Sequence, residues 1–467
     1  MEIPRERRIT IVAIFLGACL FALVLAVLAM RSLPLALGAW LGVIALTMVF
    51  VEPFIGLLNY LALLYIRPQD FVPALAGMPI MLAVGTGTLL LVIVHRAVRQ
   101  RSLVVAGVPQ HALVLWFYGA IVASQLAIMH ISGAMAASLE FIPTAVLYFL
   151  IVELVTTPRR VKIVFLLLAH LTLALAVQGL AQHFTGAGFG GKQAFLGRIQ
   201  AIGIFSDPND LALVILTVLP LMVLVVMQSP SIFARAYAGL VSLVFLYAIM
   251  LTQSRGGLLS LAAMAFLIFR RKFGRIVGAV GGVVVLAALV LLGPRMNTIS
   301  TQEASSYGRL EAWVVGVGLF QHSPLFGVGF RNFMEYHFRT AHNSFVLCAS
   351  ELGVFGLYPW LMLLMITYKN AHFVEKELLR EKQRGFAMYV YALRLGLVTF
   401  VVGAMFLSRT YHPLLFVLIG LCAATTRVFV ANSPQRYKLI EKRDFVMGLL
   451  LMVGSLIGFK VFMLVAW

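Results

Sequence analysis

The residues best suited to chemistry lie in the run Arg339-Thr-Ala-His342-Asn343-Ser344-Phe345. A polar triplet, His342-Asn343-Ser344, sits at the seam between a long polar stretch and an apolar one. Asn343 or Ser344 suits a helix N-cap, which leaves His342 at the mouth of the helix, facing water. A helix N-terminus carries partial positive charge. That charge disfavours imidazolium and keeps a histidine neutral, as a general base must be. On these residues alone, the run also reads as a capping motif with an incidental histidine.

Two arginines suggest a partner for such a base. Arg255 lies in the turn Gln253-Ser254-Arg255-Gly256-Gly257, between two apolar runs and next to two glycines that permit close backbone approach. Arg198 precedes Ile-Phe-Ser-Asp207-Pro208-Asn209-Asp210, where Asp207 and Pro208 read as N-cap and first-turn proline and Asp210 completes a capping-box-like pattern. Capping explains the two aspartates better than metal binding does. Arg198 and Asn209 are better placed to contact a ligand. An arginine presents a planar fork of donors that grips phosphate or carboxylate at two points.

The elements that position these residues follow from composition. The 467 residues are 62% hydrophobic and 11% charged, with a mean hydropathy of +1.00. Apolar runs of about 20 residues recur throughout, which excludes a soluble domain and defines an all-α polytopic integral membrane protein. The apolar segments fall near 11–30, 33–51, 54–66, 78–97, 111–130, 136–155, 161–182, 209–227, 235–252, 256–270, 275–293, 345–368, 388–407, 411–429 and 445–466. Residues 11–30, with no small-residue cleavage site after them, read as a retained first span. Cys19, Cys348 and Cys422 all fall in apolar segments, so neither a disulfide framework nor a metal cluster is expected.

The net charge of +19 would suggest nucleic acid in a soluble protein, but here it fits basic loops on the cytoplasmic side. The arginines of residues 1–8 place the N-terminus in the cytoplasm. Counting the short segment 54–66 as a crossing, with a short or broken helix around Pro53, then puts the basic clusters at 95–101, 159–162, 270–275, 369–384 and 436–443 inside as well. Dropping that crossing would export them all. The chain reads as one transmembrane domain over 1–467, with outer loops at 183–206 and 294–342 and a cytoplasmic loop at 369–387. The 294–342 loop is expected to carry amphipathic helices, one near 308–321, lying at the membrane surface. The outer segments hold ten basic residues, and Lys192 is the single lysine among them; Arg309, Arg331, Arg339 and Arg409 belong to this set. Within apolar segments, Glu140, Glu153, His170 and Lys460 are the conspicuous ionisable groups, and they form no midplane relay. Glu351, a few residues into its helix, suits orienting the site or pairing with an arginine, and equally well packing against a neighbouring helix.

Three places together resemble the O-antigen ligase and polymerase superfamily of bacterial envelope glycan enzymes. They are Arg198 with Gly203-Ile-Phe-Ser-Asp-Pro-Asn209, the Ser254-Arg255-Gly256-Gly257 turn, and Ala341-His342-Asn343-Ser344-Phe345 running into Glu351-Leu-Gly353-Val-Phe-Gly356. Arg309, Glu311 and Trp313, ahead of Gly327-Val-Gly329-Phe330, look like the same family's outer loop. The resemblance implies a metal-independent, cofactor-free glycosyltransferase of the bacterial inner membrane with its active site on the periplasmic face. It implies about a dozen spans, whereas the hydropathy pattern gives up to fifteen, with 54–66 or 445–466 the segments to question.

By resemblance, His342 activates the acceptor hydroxyl, and Arg198 and Arg255 hold the diphosphate of an undecaprenyl-diphosphate-linked glycan. Asn209, Ser254, Arg309, Arg339, Asn343 and Glu351 bind substrate or support the site. The acceptor is lipid A-core for a ligase, a second lipid-linked repeat for a polymerase, or a protein for an O-oligosaccharyltransferase, and the ligase is the reading preferred. A transporter of polyprenyl-linked glycans would instead predict internal symmetry and midplane polar groups.

Overall fold

The computed structural model describes residues 52–96 apart from 71, 73, 74 and 79, together with 107–292, 300–433 and 437–466. Its helices are α1 (Pro53–Ile66), α2 (Ile80–His95), α3 (Gln110–Ala127), α4 (Ile131–Leu154) and α5 (Pro158–Thr185). They continue as α6 (Pro208–Gln228), α7 (Ile232–Thr252), α8 (Arg255–Phe273), α9 (Arg275–Leu292) and α10 (Ser300–His322). The series ends with the single turn α11 (Phe333–Tyr336), then α12 (Ser344–Arg380), α13 (Arg384–Ala404), α14 (Pro413–Asn432) and α15 (Lys442–Ala466). No strand occurs among the described residues, only an isolated bridge between Phe195 and Arg198. Backbone in hydrocarbon must pair within its own segment, and helices do this for every residue.

Eight of these helices are long and apolar enough to cross a membrane, so the protein is an all-α polytopic membrane protein. Thirteen of the fifteen apolar segments coincide with described helices; 11–30 and 33–51 lie outside the described residues. Two boundaries differ from expectation. The segment 369–387 is mostly helix, because α12 continues to Arg380 and α13 starts at Arg384. In the 294–342 loop, the helix near 308–321 is the 23-residue α10.

The burial pattern places the helices. Of the membrane-length stretch, 83% is buried in α12 and α14 and 78% in α6, against 17% in α15, so the first three form the centre. Proline opens α1, α5, α6 and α14 at the first turn, where its missing N–H costs nothing. The short α1 still links both ends of the bundle. Before it, Glu52 pairs with Arg160 of α5 at 3.2 Å, and after it the Arg67 side chain covers Gly203 in the loop leading to α6.

The ends of the bundle differ in charge chemistry. At the end where α5 begins and α14 finishes, Glu153 takes both Arg96 and Arg427. Between α8, α12 and α13, Glu375 takes both Arg271 and Arg394, and Lys369 meets Asp444 at 2.5 Å. The other ionisable groups of the apolar segments are also placed. Glu140 binds Arg331 at 2.7 Å, and His170 bonds the Tyr237 hydroxyl at 2.8 Å. Lys460 lines an apolar groove.

Helices α6 and α13 approach closely at a small residue, as membrane helices do. A methyl group on Gly396 would lie 2.5 Å from the Thr217 carbonyl oxygen, and the Thr399 hydroxyl donates to the Leu216 carbonyl at 3.0 Å. Gly396→Ala is expected to destabilise the bundle by about 1–3 kcal/mol through overpacking. Gly385→Ala, where nothing lies within 4 Å, should not. Thermal unfolding of both variants in detergent measures the difference; equal midpoints would refute the close approach.

Candidate active site

Four helix N-termini meet at one end of the bundle: those of α6, α8, α12 and α14. Each is capped by the residue before it. Asp207 accepts from Asn209 N at 2.7 Å, Ser254 from Gly257 N at 3.1 Å, Asn343 from Phe345 N at 2.9 Å, and His412 Nδ1 from Leu414 N at 3.2 Å. The capping reading of the 342–344 run therefore belongs to Asn343, while Ser254 is a cap as well as a candidate ligand. Gly257 brings α8 against α6, where a methyl group would meet the Ala212 methyl at 3.0 Å.

These mouths are stitched together. The Ser344 hydroxyl donates to the Leu407 carbonyl at 2.6 Å and accepts from Arg409 N at 2.8 Å; the Thr410 hydroxyl donates to the Ser344 carbonyl at 2.8 Å. Arg409 then reaches α6 with both arms, Nε to Asp210 Oδ1 at 2.5 Å and Nη2 to Oδ2 at 2.6 Å. Asp210 is thus an ion-pair partner rather than part of a capping box. Burial opposes the charge of Arg409, but Asp210 and Asp207 outweigh it and raise its pKa.

A break in α12 builds the floor. Gly353 has φ 60° and ψ −160°, a conformation essentially confined to glycine. It frees backbone groups on both sides. The Ser350 and Glu351 carbonyls accept from Val328 N at 2.9 Å and Gly329 N at 3.1 Å, while Val354 N donates to the Pro324 carbonyl at 2.8 Å. Among the described residues, no arginine side chain forms a salt bridge with Glu351. Its carboxylate accepts from the Tyr411 hydroxyl at 2.8 Å and from Phe333 N at 3.3 Å, so it ties the 324–333 loop to the 407–411 turn from below.

His342 stands above this floor, half-buried, with left-handed backbone at φ 47°. Histidine is among the residues that tolerate this region, and such strain clusters at functional sites. Two other histidines of this end have a ring nitrogen engaged. His337 Nδ1 accepts from Arg339 N, and His412 uses Nδ1 for its cap and donates from Nε2 to the Ile204 carbonyl at 3.2 Å. Among the described residues, neither ring nitrogen of His342 has a hydrogen-bond partner. Burial first, then Arg309, Arg409 and Arg339 against the opposing pull of Asp207, lower its pKa to about 4. The imidazole is neutral at pH 7.

Arg309, on α10, is brought to the same place. Its pKa is lowered by burial and by Arg255, against Asp207. Arg255 itself is exposed at the first residue of α8. Arg339 runs beside Gly308 of α10, where a methyl group would lie 3.1 Å from its Nη1. Arg198 joins from the other side, held by Nε to the Thr252 carbonyl at 2.8 Å and Nη2 to Asn209 Oδ1 at 2.9 Å. Asn209 is thereby a support for Arg198. The sequence reading omitted Arg409 as a site residue; the signal was the polar run Ser408-Arg409-Thr410-Tyr411-His412 between two apolar segments. Among the described residues, no three His, Cys, Asp or Glu side chains converge as a metal site would require.

The protein is thus a polytopic helical membrane bundle with a histidine among arginines at one end, an arrangement whose chemistry suits an anion beside a proton acceptor. Residues 240–361 match the family described as O-Antigen ligase, and over that stretch the match supports the O-antigen ligase superfamily. The matched stretch is roughly a quarter of the chain and carries Arg255, Arg309, Arg339, His342 and Glu351. Comparison with curated proteins gives no match.

The Arg409–Asp210 pair should behave as a buried ion pair. Arg409→Ala alone is expected to cost about 3–5 kcal/mol by stranding Asp210. Adding Asp210→Ala should return part of that loss, a coupling that a double-mutant cycle by thermal unfolding reads directly. Additive losses would mean the pair is not the tie between α6 and the 407–410 turn.

Proposed function

We propose that the protein is a metal-independent glycosyltransferase that moves a glycan from undecaprenyl diphosphate to an acceptor hydroxyl at the periplasmic face of the bacterial inner membrane. The acceptor proposed is lipid A-core, the reaction of an O-antigen ligase. The observation that carries this reading is the His342 ring, neutral, near arginines and, among the described residues, without a hydrogen-bond partner. The match of residues 240–361 to the O-antigen ligase family supports the reaction type.

In this mechanism, the acceptor hydroxyl gives its proton to His342 as its oxygen forms a bond to the anomeric carbon. The bond from that carbon to the diphosphate oxygen breaks, and undecaprenyl diphosphate leaves with the bonding electrons. Charge growing on the leaving phosphate is met by Arg255 and Arg198, with Arg309 and Arg339 next to them. Donors already in place stabilise it without reorganisation. The helix N-termini add their partial charges. An apolar groove of about 190 Å³ between α10, α12 and α15, lined by Val317, Phe320, Val346 and Leu456, suits the isoprenoid next to the diphosphate. The basic clusters of the opposite end support a cytoplasmic assignment for that end and a periplasmic one for His342.

Purified enzyme given an undecaprenyl-diphosphate glycan and, in turn, lipid A-core, a second lipid-linked repeat or a pilin-like protein separates ligase, polymerase and protein transferase. His342→Ala should abolish transfer to within background. Arg255→Lys should lower it at least tenfold despite the retained charge, because one fork of donors is lost. Near wild-type transfer by either variant would remove that residue from its role.

The arginines make a pH prediction. His342 of the free enzyme, at about 4, stays neutral until the pH falls towards that value. A bound diphosphate cancels the arginines' repulsion and raises its pKa. The acid limb of kcat/KM, which reports the free enzyme, should therefore lie near pH 4, and that of kcat at a higher pH. Coincident limbs at the ordinary histidine pKa would count against His342 as the base.

A further inference from the structure

A second cavity lies at the opposite end of the bundle, between α8, α12 and α13, with a volume of about 350 Å³. Arg270, Arg271, His372, Glu375, Tyr391 and Arg394 are among its lining residues. Glu375 is 4% exposed and takes both Arg271 and, at 2.6 Å, Arg394. Both guanidiniums also stack on aromatic rings, Arg271 at 3.9 Å from the Tyr391 ring centre and Arg394 at 5.2 Å from that of Tyr368. The Tyr368 hydroxyl accepts from Arg394 Nη1 at 3.1 Å. The two side chains are therefore held in fixed positions.

The charges do not balance. Three arginines face one glutamate, leaving two positive charges in excess on the cavity wall. Among the described residues, no carboxylate pairs with Arg270. Arg394 Nε is buried without a hydrogen-bond partner. Uncompensated charge in an apolar bundle is costly, and a buried donor without an acceptor adds to the cost. A resident anion would satisfy both. Leu267, Leu395 and Val398 make part of the wall apolar, and the neighbouring Phe269 and Tyr368 are exposed towards the surroundings of the bundle. The ligand that combines a phosphate with an apolar body at such a place is a membrane lipid, and basic pockets between transmembrane helices bind lipid head groups.

We infer that this cavity is a binding site for the phosphate head group of an anionic phospholipid, in the leaflet opposite the His342 end. The phosphate meets Arg270 and Arg394, while Glu375 keeps Arg271 and Arg394 oriented. The site serves to hold α8, α12 and α13 together and is separate from the transfer chemistry. The inference does not depend on the glycan-transfer reading.

The test uses the purified full chain in detergent. Phosphatidylglycerol, phosphatidylcholine and inorganic phosphate are supplied separately, with retained lipid read by native mass spectrometry and stability by thermal unfolding. Phosphatidylglycerol should be retained and raise the midpoint, as a ligand specific for the folded state does. Arg270→Gln should weaken its retention about fivefold, the weight of one arginine near an anionic head group. Arg443→Gln should leave retention unchanged; Arg443 lies at the same end outside the cavity, its side chain 75% exposed and paired with Glu441. Equal retention of phosphatidylcholine, or equal loss in the two variants, would overturn the proposal. The same stabilisation by inorganic phosphate alone would make this a free-anion site and overturn the lipid assignment.

Discussion

The grip of Arg409 on Asp210 is the constraint from which the rest of the His342 end is built. Asp210 belongs to the first turn of α6, at the centre of the bundle, and Arg409 to the turn between α13 and α14. The pair thus locks a loop to the most buried element available. The main chain of that loop then holds Ser344, which fixes the start of α12 and the residues immediately before it. A histidine on a free loop would sample many orientations. Here His342 is one residue from a doubly bonded cap and two from Ser344, which is clamped at both its hydroxyl and its main-chain carbonyl. Positioning is achieved by polar contacts that also satisfy buried backbone groups, so the site's rigidity and the fold's hydrogen-bond satisfaction are the same interactions.

Electrostatics decide what that position can do. Positive charge from Arg309, Arg409 and Arg339, with burial, moves His342 away from imidazolium. Four helix N-termini push the same way. Buried positive charge is tolerated where an anion is to be received, and the same field that keeps the base neutral attracts that anion. In the proposed mechanism, an arriving anion weakens the field at His342 and raises its affinity for a proton. Base strength would then be coupled to occupancy through charge alone, with no movement of the chain required.

Much of this was legible in the sequence, for identifiable reasons. Apolar runs as long as a bilayer is thick announce themselves, and the short run 54–66 is also a helix, the 14-residue α1. Asp207-Pro208 and Asn343-Ser344 were readable because capping is local. His342, Arg198 and Arg255 stood out as polar groups at the edges of apolar runs. What escaped depends on contacts between distant positions. Nothing near Asp210 indicates that its partner lies 199 residues away. Gly353 is visible as a glycine, but its pairing with the 324–329 loop exists only after both are folded. Glu351 could be assigned to either of two roles because its partners, Tyr411 and the Phe333 amide, come from separate loops.

The two ends of the bundle hold arginine in different ways. At the end opposite His342, Glu153 and Glu375 each hold two guanidiniums and tie helices together, but at Glu375 one carboxylate is shared between two arginines and neutralises only one of them. At the His342 end, Arg409 is taken up by Asp210 and Arg331 by Glu140. Among the described residues, neither Arg309 nor Arg339 forms an ion pair with a carboxylate. Arg198 is anchored by a carbonyl and an amide oxygen, neutral acceptors that fix its plane. A guanidinium held by neutral groups keeps its field for a ligand, whereas one that has a carboxylate to itself, as Arg409 has Asp210, loses most of it. At the His342 end, the choice of acceptor thus separates the arginines that build the fold from those with charge to offer an anion.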